Sequence, residues 1–131
     1  MKKINFYTPS ISNPSINSSG GNDYVQTTTK TEDYIVSKSD FGKSIRIDSS
    51  SERTITLPSM SSADDGAKIT IVKLNTGKVN IVCDVNDQIV DSISNIIYND
   101  TPDEIYAFLN LEYVYIKKLW IVFGNGTWVT E

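Results

Sequence analysis

The sequence contains no histidine and only one cysteine, Cys83, among its 131 residues. Histidine is the usual general base, a common metal ligand and the side chain that titrates near neutral pH, so its absence argues against most catalytic and metal-dependent functions. One cysteine cannot form an intrachain disulfide or a cysteine-based zinc site. Because Cys83 continues an alternating apolar pattern, we expect its side chain to be buried.

Clustered positive charge and long apolar runs are also missing. The net charge is -4, and the adjacent basic pairs are Lys2-Lys3 and Lys117-Lys118. Binding to a phosphate backbone needs clustered Lys and Arg, so the sequence predicts no nucleic-acid partner. No apolar run is long enough to span a bilayer, and no apolar stretch of a secretory signal follows the first basic pair. We therefore expect no membrane partner.

Motifs for catalysis are missing as well. Asp64-Asp65 and the group Asp84, Asn86 and Asp87 fit turns, because the second group lacks the distal glutamate of a calcium loop. Serines are frequent, but no Ser-x-x-Lys motif with its partner motifs and no phosphate-binding glycine loop accompanies them. The sequence therefore predicts a protein that is not an enzyme and needs no cofactor or metal.

Residues 1–31 are rich in serine, asparagine and threonine. Pro9 and Pro14 favour an extended chain, and Gly20-Gly21 is a flexible break. This composition is typical either of a disordered tail or of an arm that orders when it docks on a partner. In the second case, the anchoring side chains would be apolar: Ile4, Phe6, Tyr7, Ile11 and Ile16. We predict an extended arm over 1–31 and a folded domain over 32–131.

From Tyr34 onward, apolar residues alternate with polar ones, which indicates strands with one buried face. Turn signals recur about every eight to twelve residues, a spacing typical of sandwiches and barrels. The alternation predicts these inward residues: Ile45, Ile47, Ile55, Leu57, Ile69, Ile71, Val79, Ile81 and Cys83. The predicted fold class is all-β, an antiparallel β-sandwich or jelly-roll-like domain.

The last third of the chain is the most apolar. Pro102 could open a short helix over 103–111, but the following β-branched and aromatic residues favour a strand. Gly124-Asn125-Gly126 separates residues 120–123 from 127–129, a pattern typical of a terminal hairpin.

Aromatic side chains are concentrated in this same region. One alternate set must fill the core, and the other set suits a subunit interface, for which we predict Tyr113, Tyr115 and Phe108. Both faces of this strand look buried, so we expect a second subunit to cover one of them. Aromatic rings can also stack on sugars, and Trp120 and Trp128 are the candidate glycan contacts.

Several segments in order resemble domains of tailed-bacteriophage fibre and virion-appendage proteins. They are the strand over 54–58 ending in Leu-Pro, the loop 63–66 with Asp-Gly, the strand over 68–73, the Asn-Thr-Gly turn before 79–81, the corner at 88–91 and the closing turn 124–128. The similarity covers residues 33–131, and residues 93–109 depart from it by being longer and more apolar. The resemblance implies a β-sandwich that trimerises as a structural part of a virion.

These observations lead to an expected function and two alternatives. The expected function is that of a homotrimeric head fibre or capsid decoration protein. It would be located in the virion, assembled in the host cytoplasm, and anchored through residues 1–31 to the capsid or another virion protein. One alternative is a carbohydrate-binding or receptor-binding module of a tail fibre or baseplate, which contacts a host surface glycan during host attachment. The other, a hydrolase, has no candidate catalytic residue.

Overall fold

Twelve β-strands in two sheets build the protein in a computed structural model, which describes residues 2–6, 24–90 and 94–131. The strands are β1 Lys2–Phe6, β2 Thr27–Lys30, β3 Tyr34–Ile35, β4 Ser44–Ile47, β5 Arg53–Thr56, β6 Lys68–Lys73, β7 Val79–Val82, β8 Gln88–Ile89, β9 Ile96–Asn99, β10 Phe108–Val114, β11 Leu119–Gly124 and β12 Gly126–Thr130. Three short 3-10 helices lie between them, at Lys38–Asp40, Ser62–Asp64 and Tyr115–Lys117. The prediction of an all-β fold is confirmed.

Each sheet has six strands. Sheet A has the order β1-β12-β9-β7-β5-β3, and sheet B has the order β2-β4-β6-β10-β11-β8. The buried side chains of both sheets form one apolar core. In sheet B, Ile45, Ile71 and Leu109 lie side by side on β4, β6 and β10, and all three are fully buried. The residues that alternation placed inward are buried, because period two fixes which side of a strand faces the core.

The first part of the fold is a parallel coil. From β2 to β7 the chain alternates between sheet B and sheet A, so that β2, β4 and β6 pair in parallel in one sheet and β3, β5 and β7 pair in parallel in the other. Among the later strands, β10 pairs antiparallel with β6 and with β11, whereas the short strand β8 pairs in parallel with β11. The predicted antiparallel or jelly-roll-like order is therefore wrong for the coil. Turn residues mark where the chain bends, but a bend can lead to a hairpin or to the opposite sheet.

At the carboxyl terminus, too, a predicted turn leads to the opposite sheet and not to a hairpin. The strand predicted after Pro102 exists as β10, but β11 and β12 do not form the predicted hairpin, since β11 lies in sheet B and β12 in sheet A. Two hydrogen bonds to Asn125 stabilise this crossing: its side-chain Oδ1 accepts a bond of 2.7 Å from the Phe108 amide, and its carbonyl accepts a bond of 2.9 Å from Trp128 Nε1. Gly126 adopts φ 88°, a conformation that favours glycine.

Both ends of the predicted arm are strands of the sheets. β1 pairs antiparallel with β12, and β2 pairs in parallel with β4, so no division between arm and domain falls at residue 31. The sequence of β2, Thr-Thr-Thr-Lys, contains no apolar residue. Because an edge strand can be held by backbone hydrogen bonds alone, the hydropathy pattern did not reveal it. Ile4 packs partly against the protein's own core. Phe6 ends β1, whereas Tyr7, Ile11 and Ile16 lie outside the described residues.

Buried polar groups fix the loop between β9 and β10. Lys73 is fully buried, and its Nζ donates to the carbonyl oxygens of Asn75 (2.9 Å) and Thr101 (3.0 Å). Burial lowers the pKa of Lys73, and the nearby Glu104 carboxylate opposes that effect. Glu104 in turn accepts hydrogen bonds from Asn99 and from the amide and hydroxyl of Thr127, so the loop is tied to the start of β12.

Candidate binding groove on sheet B

A groove of about 410 Å³ crosses the outer face of sheet B. Its floor and one wall come from outward-facing residues of β6, β10 and β11, which the pairing register places in two rows. Thr70, Asn110 and Phe123 form one row. Lys68, Glu112 and Ile121 form the other row. Val25 and Lys43 line the groove near β4.

The floor of the groove is polar. Thr70 Oγ1 donates a hydrogen bond of 2.6 Å to Asn110 Oδ1, which fixes the orientation of the amide. The Asn110 Nδ2 group has no hydrogen bond to another described residue and can donate to a ligand. Lys68 Nζ lies 3.8 Å from Glu112 Oε1, and both side chains are well exposed, so water screens this pair and it contributes little to stability.

The walls of the groove are apolar and exposed. Phe123 is 67% exposed, Val25 is 60% exposed and Ile121 is 44% exposed. The exposed Tyr24 continues this surface toward a shallow depression lined by Phe41 and Lys43. Exposed apolar side chains grouped around a concavity, with a few polar groups at its base, are typical of a binding site.

The tryptophans predicted to contact glycan lie in the core. Trp120 and Trp128 are both 0% exposed, so neither has a free ring face and this prediction is wrong. The Trp120 ring packs against Tyr113 and Phe41, with centroid distances of 5.1 and 6.0 Å. Alternation along β11 explains the outcome, because an inward Trp120 places Ile121 and Phe123 outward. The same alternation could have identified Phe123 as the exposed ring.

The residues predicted for the subunit interface do not share a face. Tyr113 is fully buried in the core of the single chain and donates a hydrogen bond of 2.7 Å to Asp87 Oδ1, so its assignment to the interface is wrong. Phe108 is half-buried and lies beside Val72 in sheet B. Tyr115 lies in a 3-10 helix, with Lys118 Nζ 3.8 Å from its ring centroid. The strand ends at Val114, so the period-two relation between Tyr113 and Tyr115 does not hold.

The ionisable groups that line the groove are two lysines and one glutamate, Lys43, Lys68 and Glu112. In the part of the chain that the structure describes, no three His, Cys, Asp or Glu side chains are grouped so that they could hold a metal ion. Across those same residues, no helix has the length and apolar character needed to cross a membrane. The groove offers hydrogen bonds, charge and apolar contact, which are means of binding.

Comparisons with known proteins do not assign the chain to a family. No protein-family model matches it, and no curated protein sequence matches it either.

Proposed function

We propose that this protein is a structural component of a bacteriophage virion, a head fibre or capsid decoration protein that forms a homotrimer and is not an enzyme. The resemblance over residues 33–131 suggests the virion context. The observation that carries the proposal is an uncharged row of side chains across the outer face of sheet A. Such a row suits an interface between copies of the same chain, since it can be buried without leaving an unpaired charge.

The row consists of Ile35, Thr56, Val82 and Ile96, which lie side by side on β3, β5, β7 and β9. Ile35 is 74% exposed, and the other three are half-buried. The neighbouring row on the same face includes Tyr98 and Val129. We refer to these six residues as the sheet A face. The second row also contains Asn80 and Lys3, and Lys78 Nζ lies 4.2 Å from the Tyr98 ring centroid, so charged groups border the apolar side chains on which another subunit can pack.

We predict that Ile35→Glu converts the trimer into a monomer at micromolar concentration. Three glutamates would enter the interface together, so the concentration needed for assembly should rise about 100-fold or more. Light scattering after size-exclusion chromatography measures the mass, and circular dichroism checks the fold. Val85→Glu is the matched control, because Val85 is 86% exposed in the loop between β7 and β8. A monomeric unmodified protein, or a trimeric Ile35→Glu variant, would contradict the proposed interface.

We further propose that residues 1–31 attach the protein to the particle. Deleting all of them would also remove β1 and β2, so a loss of binding could come from damage to the sheets. Replacing residues 7–23 with a Gly/Ser linker of equal length keeps both strands. We expect this variant to keep its mass and fold and to stop co-sedimenting with purified particles. A variant that still decorates particles would contradict attachment through this segment.

The virion assignment itself is tested by a mass-spectrometric inventory of purified particles. We expect the chain in stoichiometric amounts, and its position on head or tail can be seen by antibody labelling in electron micrographs. Its absence from particles that are otherwise complete would contradict the proposal, whatever its oligomeric state.

A further inference from the structure

The groove on sheet B has the dimensions of a small-ligand site rather than of a contact between flat sheet faces. Its volume of about 410 Å³ lies in the range of ligand pockets. From β4 across β6 and β10 to β11 it spans three strand spacings, roughly 14 Å at about 4.8 Å each. A ligand that fills it is therefore elongated and contains more than one ring.

The polar groups of the floor suit a ligand that is rich in hydroxyl groups. Asn110 Nδ2 donates, Thr70 Oγ1 keeps acceptor capacity after donating to Asn110, and Glu112 accepts. A donor and an acceptor on β10 thus lie beside an acceptor on β6, and the hydroxyls of a sugar ring can bond to all three. Phe123 adds an exposed aromatic ring at the end of the same row, on which the C–H face of a sugar can pack.

Charge narrows the class of ligand further. The chain carries a net charge of -4, yet Lys43 and Lys68 outnumber Glu112 among the groups lining the groove. Glu112 already faces Lys68. Lys43, at the end of the groove opposite Phe123, also interacts with the nearby Asp40 carboxylate, so a ligand at this end shares the positive charge of Lys43 with Asp40. An anionic substituent on the ligand would be attracted to this end.

We propose that this groove is a binding site for an acidic oligosaccharide, in which Phe123 packs on one sugar ring, Asn110 and Glu112 bind hydroxyl groups, and Lys43 pairs with a carboxylate or phosphate substituent. The proposal rests on the groove alone and is independent of the virion assignment and of the sheet A face. A second copy of the chain could also cover these apolar side chains, and the experiment distinguishes the two occupants.

The experiment screens the full-length protein on an array of acidic bacterial surface saccharides, together with the carboxyl-reduced or dephosphorylated form of each. Hits are then titrated in solution by calorimetry. We expect saturable binding to at least one acidic saccharide, at least about tenfold weaker binding to its neutral form and a similar loss in Phe123→Ala and Asn110→Ala. Tyr106→Ala is the matched control, because this aromatic side chain is 71% exposed outside the groove.

Thermal melting verifies that each variant is folded, and Ile35→Glu should bind the saccharide as the unmodified protein does. The proposal is overturned by an array without an acidic hit, by equal binding of the neutral forms, or by binding that survives both groove substitutions. It is also overturned if Phe123→Ala reduces the oligomeric mass, which would assign the groove to a contact between subunits.

Discussion

Tyr113→Phe is expected to lower the free energy of unfolding by about 2 kcal/mol at pH 7. The Tyr113 hydroxyl donates a hydrogen bond of 2.7 Å to the carboxylate of Asp87, which is 3% exposed. Removing the hydroxyl leaves a buried charge without this donor, and the rest of the ring still fills the core. The loss should therefore exceed that of an ordinary surface hydrogen bond.

The effect should depend on pH with a definite sign. Burial raises the pKa of Asp87, and the Tyr113 hydrogen bond opposes that rise. A carboxyl group with a raised pKa contributes stability below its unfolded pKa of about 3.9, and this contribution is lost as the pH rises through the folded value. Tyr113→Phe removes a group that lowers the pKa, so its destabilisation should be larger at pH 7 than at pH 4.

Urea unfolding at both pH values measures this difference. Asp87→Asn keeps an oxygen acceptor for the Tyr113 hydroxyl and carries no charge, so at pH 7 it should lose less stability than Tyr113→Phe. Tyr106→Phe, at an exposed ring, should change the unfolding free energy by less than about 0.5 kcal/mol. Equal losses for Tyr113→Phe at pH 4 and pH 7 would show that the hydrogen bond to an ionised Asp87 is not responsible.

The sequence predicts the buried faces of this fold better than it predicts the pairing of strands. Ile55 lies between two threonines, and Ile81 continues the alternation of Val79, Ile81 and Cys83, so their burial follows from local pattern, and both are fully buried. Nothing local indicates that β5 and β7, which carry them, run parallel in one sheet. That relation depends on β6 lying in the other sheet, which no turn residue encodes.

The groove was not predictable for the same reason. Its two rows unite residues 68–70, 110–112 and 121–123, and only the pairing of β6 with β10 and of β10 with β11 makes them neighbours. The exposure of Phe123 could be derived from the alternation around Trp120. Its position beside Asn110 and Thr70 could not, because it depends on the register of the pairing across three strands.

The second large expected effect is the loss of stability on substituting Gly124, where the chain crosses from sheet B to sheet A. A Cβ atom at this position would overlap the carbonyl oxygen of Phe108 on the neighbouring strand β10. A backbone oxygen cannot rotate away as a side chain can, so relief requires β11 to move from β10. We expect Gly124→Ala to lower the free energy of unfolding by roughly 3–4 kcal/mol.

A movement of β11 away from β10 would also weaken hydrogen bonds made by Asn125. The Asn125 amide donates to Phe108 O over 3.1 Å, and the Asn125 carbonyl accepts the bond from the buried Trp128. Both bonds depend on the close approach at Gly124, so the substitution should also expose the Trp128 ring and shift its fluorescence to longer wavelength.

Gly42→Ala is the comparison variant, because it separates the cost of steric overlap from the cost of replacing a glycine in the left-handed backbone conformation. Gly42 has φ 86° and open space around its Cβ position, so alanine there meets only the cost of the left-handed backbone, about 1–2 kcal/mol. Denaturant unfolding of the two variants gives the comparison. A Gly124→Ala variant as stable as Gly42→Ala would mean that β10 and β11 separate at little cost, in which case the groove between Asn110 and Phe123 could not be a rigid site.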